Sequence, residues 1–271
     1  MVKGYLSAIF TIAIMLCSIN MSAQLCSNTN TAFKEGEVLT YDLYFKYGIL
    51  NSRAGISTIS TQAVTFDSKS AYKVTLIANS EGVASKVYNV SDTLSSIFTK
   101  DLRPLKYQKH AHEGGDYTKE VATYKYSPNE IKINTKRWKD GTDRFNVDHT
   151  SKTCIYDMVS IVPYARNLDY AKMKKGDAVK IEFLSGKRKV NMEIEHAGTE
   201  KIKANNGKKY NCIKLVLSIS DDAFANKEES MKVYLTNDLN RMPVRIDTKL
   251  KHGSTRAMLK DYKGNRYPIK D

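Results

Sequence analysis

The feature that most constrains this chain is an alternation of apolar and polar side chains with a period of two. In "GEVLTYDLYFKYGIL", residues 36–50, Leu39, Tyr41, Leu43, Phe45 and Tyr47 fall at every second position, with Thr40, Asp42, Tyr44 and Lys46 between them. Successive side chains of a strand point to opposite faces, so the stretch reads as a strand with one dry, aromatic face and one wet face. Tyr72, Val74, Leu76 and Ala78 repeat the pattern, as do "TLSSIF", "ATYKY" and "EIKIN". "SPN" and "KDGTD" between them carry turn chemistry, which makes the first half a β meander.

The second half opens differently. "YDMVSIVPYARNLDYAKM" sets Met158, Ile161, Val162 and Ala165 at helical spacing, with Asp157 placed to cap the first turn and Pro163 limiting regularity. Beyond Gly176 and Asp177, Val179, Ile181 and Phe183 alternate before "SGK", and Val190, Met192 and Ile194 alternate after it, which predicts a hairpin. "NNGKK" precedes the strand of Ile213, Leu215 and Leu217, and "MKVYL" and "VRIDTKL" complete the series. No βαβ rhythm suggests a parallel sheet. The expected class is mainly β: a single curved antiparallel sheet system, half-open barrel or sandwich, with one or two short helices. One domain is expected over 33–271, built of two meander halves at about 33–150 and 151–265.

Ahead of it, residues 1–23 begin with Lys3, run through an apolar stretch from Ile9 to Cys17 and end in small residues, the layout of a secretory signal peptide. The apolar run is shorter than the roughly 20 residues a membrane span needs, and no second one follows. Small residues do not precede Cys17 or Cys26, so lipidation is not expected. Residues 24–32, "QLCSNTNTA", read as a polar linker. The expected location is the periplasm or outer envelope, as a protein free in solution once the leader is cleaved. The formal charge of +14 drops to +13 with the lysine of the leader. Such an excess draws anionic envelope components, or keeps strand exteriors in solution. An oxidising compartment would allow one disulfide among Cys26, Cys154 and Cys212, or leave them as buried thiols.

"GEVLTYDLYF" followed by Ala54 and Gly55, Asp92 with Ser95, "DMVS", and Arg166 ahead of Gly176 and Asp177 form an ordered set with Gly198, Glu200, Gly207, Tyr210, Cys212, "TNDLNRMPVRI" and Gly253. In order and spacing, from about Phe33 to Tyr262, the chain resembles the bacterial exported family called domain of unknown function 3108. Tyr234 stands where members of that family often carry tryptophan. The resemblance implies an exported β-rich domain and transfers no catalytic residue.

Candidate chemistry is sparse. In "KHAHEGGD", His110 and His112 would point the same way on a strand, as a two-histidine metal site requires; Glu113 or Asp116 would add oxygen, and His149, His196 or His252 a third ligand. The same residues also suit the exposed end of a hairpin turning at Gly114 and Gly115. Ser160 and Asp157 are three apart on the expected helix, but no "GxSxG" elbow exposes a serine, and capping accounts for Asp157. Asp221 and Asp222 fall in a polar loop. Neither GxxxxGK[ST] nor GxGxxG occurs, and no cofactor is expected. Most of the 17 tyrosines follow the dry phase of strands, which argues against nucleic-acid stacking. What remains is a curved aromatic wall of Tyr41, Phe45, Tyr47, Tyr72, Phe98, Phe183 and Tyr210, able to enclose a ligand or to be filled by the chain itself. The expected function is therefore a non-catalytic exported envelope protein that binds an apolar or amphiphilic, lipid-like molecule, with lysines at the mouth. The alternatives are an assembly factor contacting another envelope protein, and a metal-dependent hydrolase centred on His110 and His112.

Overall fold

A computed structural model describes residues 25–47, 50–251 and 253–269. The leader, His252 and the side chain of Tyr47 lie outside the described residues. The strands are β1 (Val38–Tyr47), β2 (Leu50–Phe66), β3 (Lys69–Ser80), β4 (Val90–Thr99), β5 (Pro104–Glu113), β6 (Asp116–Tyr126), β7 (Ile131–Lys139) and β8 (Thr142–Ser151) in the first half. The second half adds β9 (Ile155–Tyr156), β10 (Ala178–Ser185), β11 (Arg188–Lys203), β12 (Lys209–Ile219), β13 (Met231–Thr236), β14 (Pro243–Lys249) and β15 (Ser254–Lys263). All fifteen form one sheet with β1 at its middle. From β1, β2 through β8 are laid down in sequence on one side, and β15 back through β9 on the other. Among the described residues only the β9–β10 contact is parallel. The expected hairpin is present in register, with Val179 opposite Ile194, Ile181 opposite Met192 and Phe183 opposite Val190.

The sheet curls into a nearly closed barrel whose edge strands are β8 and the two-residue β9, and side chains link β8 to the β10–β11 hairpin that β9 flanks. Lys189 Nζ donates to the carbonyl of Thr150 at 2.9 Å, and the Ser151 hydroxyl donates to the Glu182 carboxylate. Covering a free edge in this way blunts the tendency of unpaired strands to recruit other chains.

Two cores fill the fold. The first gathers Leu39, Tyr41, Ile59, Leu94, Phe98 and Tyr107 from the meander. The second gathers Ile181, Phe183, Met192, Ile194, Leu215 and Leu217 around Tyr156, Tyr164 and Tyr170. Tyr164 belongs to helix α2 (Ile161–Arg166), whereas helix α1 (Gly82–Val87) buries no residue at all. Met158 does not join the helical stripe expected of it: it precedes α2 and is 53% exposed. The reason is Asp157, whose Oδ1 accepts from the backbone N–H of Val159 (3.0 Å) and Ser160 (2.9 Å), ordering the turn before the helix begins.

The segment expected as a linker is instead stitched to the body. Asn167 Oδ1 accepts from the N–H of Thr31 (2.6 Å) and of Ala32 (3.1 Å), and Ala32 and Phe33 are buried. Cys26 forms a disulfide with Cys154, 128 residues away, while Cys212 is a buried free thiol. Polar composition misled here because asparagine side chains replace a backbone ladder in satisfying the N–H groups.

Candidate functional site

Residues directly opposite one another in antiparallel strands share a face, so the register traces what the interior presents. One row runs Tyr262, Leu39, Ile59, Leu76, Leu94 across β15, β1, β2, β3 and β4, then continues as Lys109, Glu120, Arg137 and Phe145 across β5 to β8. The row changes from apolar to charged without leaving the face. Arg137 Nε donates to Glu120 at 2.6 Å, and its guanidinium lies 5.1 Å from the Phe145 ring. In the adjacent row Asp92 has one buried carboxylate oxygen with no hydrogen-bond partner among the described residues. Burial, and then the negative Glu113, push its carboxyl up to about 6.

The aromatic wall does not assemble into one cleft. Phe33, from the stitched N-terminal segment, meets Tyr72 edge-on at 5.5 Å and Phe98 at 6.4 Å, occupying the space the wall would have offered a ligand. Tyr41 is 1% exposed and donates to the carbonyl of Pro243 at 2.9 Å, and burial raises its hydroxyl far above the ordinary tyrosine range. Phe183 sits in the second core, and Phe45, at the other end of β1, is 39% exposed. Alternation identifies the dry face of a strand but not the group that keeps it dry.

Of the expected residues, Tyr210 lines a cleft. Its volume is about 800 Å³, and it lies between the start of β12, the β13–β14 connection and the C-terminal segment. Each wall has a local cause. Asp238 Oδ1 accepts from Thr236 Oγ1 (2.6 Å), Asn240 N (3.0 Å) and Arg241 N (3.2 Å), which fixes the connection. Asn240 then clasps the tail, donating from Nδ2 to the carbonyl of Tyr267 (3.0 Å) and accepting from its N–H (2.9 Å). The tail can run there because residue 264 is glycine in a left-handed conformation: a Cβ at that position would stand 2.2 Å from the carbonyl oxygen of Gly36. On the opposite wall Asn206 donates to the Tyr210 hydroxyl at 2.8 Å. Leu239, held out by this turn, is 63% exposed, beside Tyr267, Pro268 and Ile269, with Lys201 and Lys209 on the lining. The sequence reading missed Leu239; an apolar residue inside the turn string "TNDLNR" was the available signal.

The histidine pair does share a strand face, but Tyr117 occupies it: His110 Nδ1 lies 2.6 Å from the Tyr117 hydroxyl, and the His112 ring stacks on the Tyr117 ring at 4.6 Å. Among the described residues no group of three His, Cys, Asp or Glu is placed to hold a metal ion. The expected turn is there, and Gly114 is needed twice, for its left-handed backbone and because a Cβ would come within 2.4 Å of the Tyr88 ring. Ser160 and Asp157 are both buried, with Asp157 further held by Ser96 Oγ (3.0 Å) and Tyr124 Oη (3.3 Å), an anchoring network closed to solvent. Asp221 is 3% exposed and paired with Arg188 rather than solvated, because the loop folds back on the β10–β11 hairpin.

A single-sheet, nearly closed β-barrel with two apolar cores and a cleft at its rim is the class of protein these observations define. The chain belongs to the family described as protein of unknown function DUF3108, whose model matches residues 40–260. Among solved structures it is similar to a β-barrel-like protein of domain of unknown function DUF1849 from Brucella abortus, with a TM-score of 0.60 and 10% identity, over 89% of this chain and 99% of that one. That likeness is one of fold. No curated protein matches the sequence. No helix among the described residues is long and apolar enough to cross a membrane.

Proposed function

We propose that this is an exported, non-catalytic envelope protein that binds an apolar or amphiphilic, lipid-like molecule. The observation carrying this reading is the cleft of about 800 Å³ lined by Tyr210, Leu239, Tyr267 and Ile269, with Lys201 and Lys209 beside them. Ligand sites are concavities of this size with apolar walls and a few placed polar groups, and the lysines suit an anionic head. Export is supported by the Cys26–Cys154 disulfide, a bond that persists in oxidising compartments. Titration with oleate, followed by native mass spectrometry, tests the reading. Saturable binding is expected, and Leu239→Asp, at an exposed position, weakens it at least about tenfold. Binding that does not saturate, or that ignores this substitution, removes the cleft from consideration.

The assembly-factor reading is favoured by a separate observation. Val83 (77% exposed) and Val87 (81% exposed) lie one turn apart on α1, followed by Tyr88 (54% exposed). An exposed apolar knob suits a protein partner. Crosslinking from position 83 in the native host yields one reproducible adduct on this reading, and a smear of unrelated ones against it.

A further inference from the structure

The face of β1 turned away from Tyr41 carries a second concavity, remote in kind from the apolar cleft. Tyr44, Arg256, Asp247 and Lys232 stand directly opposite one another across β1, β15, β14 and β13. One step along the strands, Lys46, Ser254 and Lys249 form a parallel row on the same face. Together they line a groove of about 520 Å³ whose floor is Tyr44 and Met258. The wall is the tip of the β11–β12 hairpin, which folds over this face: Asn205 N donates to the carbonyl of Leu259 (2.8 Å), and its Nδ2 to Asp42 (2.8 Å) and the Tyr44 hydroxyl (2.9 Å).

Cations outnumber anions here. Glu229 is shared by Lys249 (2.6 Å) and Lys232 (2.9 Å), whose hydrogen bonds hold its carboxyl down at about 2. Asp247 is shared by Arg245 (2.6 Å) and Arg256 (2.6 Å). Lys46 has no carboxylate partner among the described residues and raises the surplus further. Signs are interspersed along the row, as on a strand exterior kept soluble, but the cations remain in excess. They converge on a walled groove, where the Arg256 guanidinium, the ammonium groups of Lys46, Lys232 and Lys249 and the hydroxyls of Thr248, Ser254 and Thr255 are donors of the kind a phosphate takes.

We infer that this groove binds a phosphate ester, either free in solution or as a lipid headgroup. The inference is independent of the apolar cleft, and Leu239→Asp bears on the cleft alone.

The test titrates the full chain calorimetrically with glucose 6-phosphate, with glucose as control, and measures co-sedimentation with vesicles of phosphatidylcholine with and without phosphatidic acid. Saturable binding of glucose 6-phosphate but not glucose identifies a free ester; binding confined to the phosphatidic acid vesicles identifies a headgroup. In either arm, Arg256→Gln with Lys46→Gln lowers affinity at least about tenfold. Lys136→Gln with Lys152→Gln, which removes two exposed charges elsewhere, changes it less than about twofold. If Arg256→Gln impairs folding, Lys46→Gln alone is read, with an expected loss of about threefold. Equal losses in the two double variants, equal binding of glucose, or no binding in either arm overturns the inference.

Discussion

Two of the places where ionisable groups enter the interior of this barrel are built in opposite ways. Glu37 and Arg166 are each at most 4% exposed and form a two-pronged pair at 2.6 and 2.8 Å, with Arg166 donating again to the carbonyl of Asn240 and standing 5.3 Å from the Phe33 ring. Every nitrogen of that guanidinium is used in holding the residue before β1, α2 and the β13–β14 connection together. The second place, Asp92 with Lys109, Glu113, Glu120 and Arg137, is only partly closed. Arg137 is 37% exposed, Glu113 is 40% exposed, and one oxygen of Asp92 is buried without a partner among the described residues. A sealed ion pair is costly to break, whereas a vented cluster tolerates substitution and responds to pH.

The largest expected effect follows from the sealed pair. Arg166→Ala leaves Glu37 buried and uncompensated and is expected to cost about 3–5 kcal/mol in urea unfolding. Arg137→Ala removes the same chemical group from the vented cluster; its partner Glu120 is itself only 4% exposed, but the arginine that covers it reaches solvent, so the vacated carboxylate opens to water and the expected cost is about 1–3 kcal/mol. Equal losses would erase the distinction between the two sites.

Next in size is the disulfide, which fastens the segment carrying Phe33 to the connection after β8. Replacing Cys26 and Cys154 by serine is expected to cost about 2–4 kcal/mol. The change should register first at the sealed end: hydrogen exchange rises at Ala32 and Phe33 before it rises near Asp92. Uniform loosening would show that the disulfide does not belong to that end in particular.

The contrast also marks what could be read from the chain. Period-two alternation gave the strands, the β10–β11 register and the single sheet, because side-chain direction is a local property of a strand. It could not show that Phe33, in a polar stretch, fills the space between Tyr72 and Phe98. Arg166 was visible only as part of a family pattern, since its partner Glu37 is distant in sequence. Lys109, Glu120 and Arg137 look like ordinary exterior charges until the register puts them in phase with Leu39. The cleft at Leu239 depends on a turn meeting a tail, and such long-range meetings leave no periodic trace.

Asp92 sharpens the comparison through pH. Its folded carboxyl titrates at about 6, above the ordinary 3.8, so the fold favours the protonated form. The contribution of Asp92 to stability is therefore most favourable where it is protonated in both states, falls as pH rises from about 4 to 6, and stays lower above that. Asp92→Asn is accordingly expected to stabilise by about 1 kcal/mol at pH 7.5, discounted for partial exposure, with the gain gone near pH 4. Urea melts of both proteins across that range decide it, and a gain independent of pH would mean that packing rather than charge is responsible.

The smallest effect is expected on the outer face, where polar groups reach solvent and need neither sealing nor venting. His110 and His112 hold each other's place only through Tyr117, by one hydrogen bond and one stacked ring. Replacing both with alanine is expected to cost about 0.5–1 kcal/mol, and dialysis against a chelator should leave the melting temperature of the unsubstituted protein unchanged. A chelator-induced drop in that protein, absent from the double variant, would instead mean that the two imidazoles leave Tyr117 to share an ion, since a bound metal adds its binding free energy to the folded state. The outer face would then carry a third kind of charge, one supplied from solution.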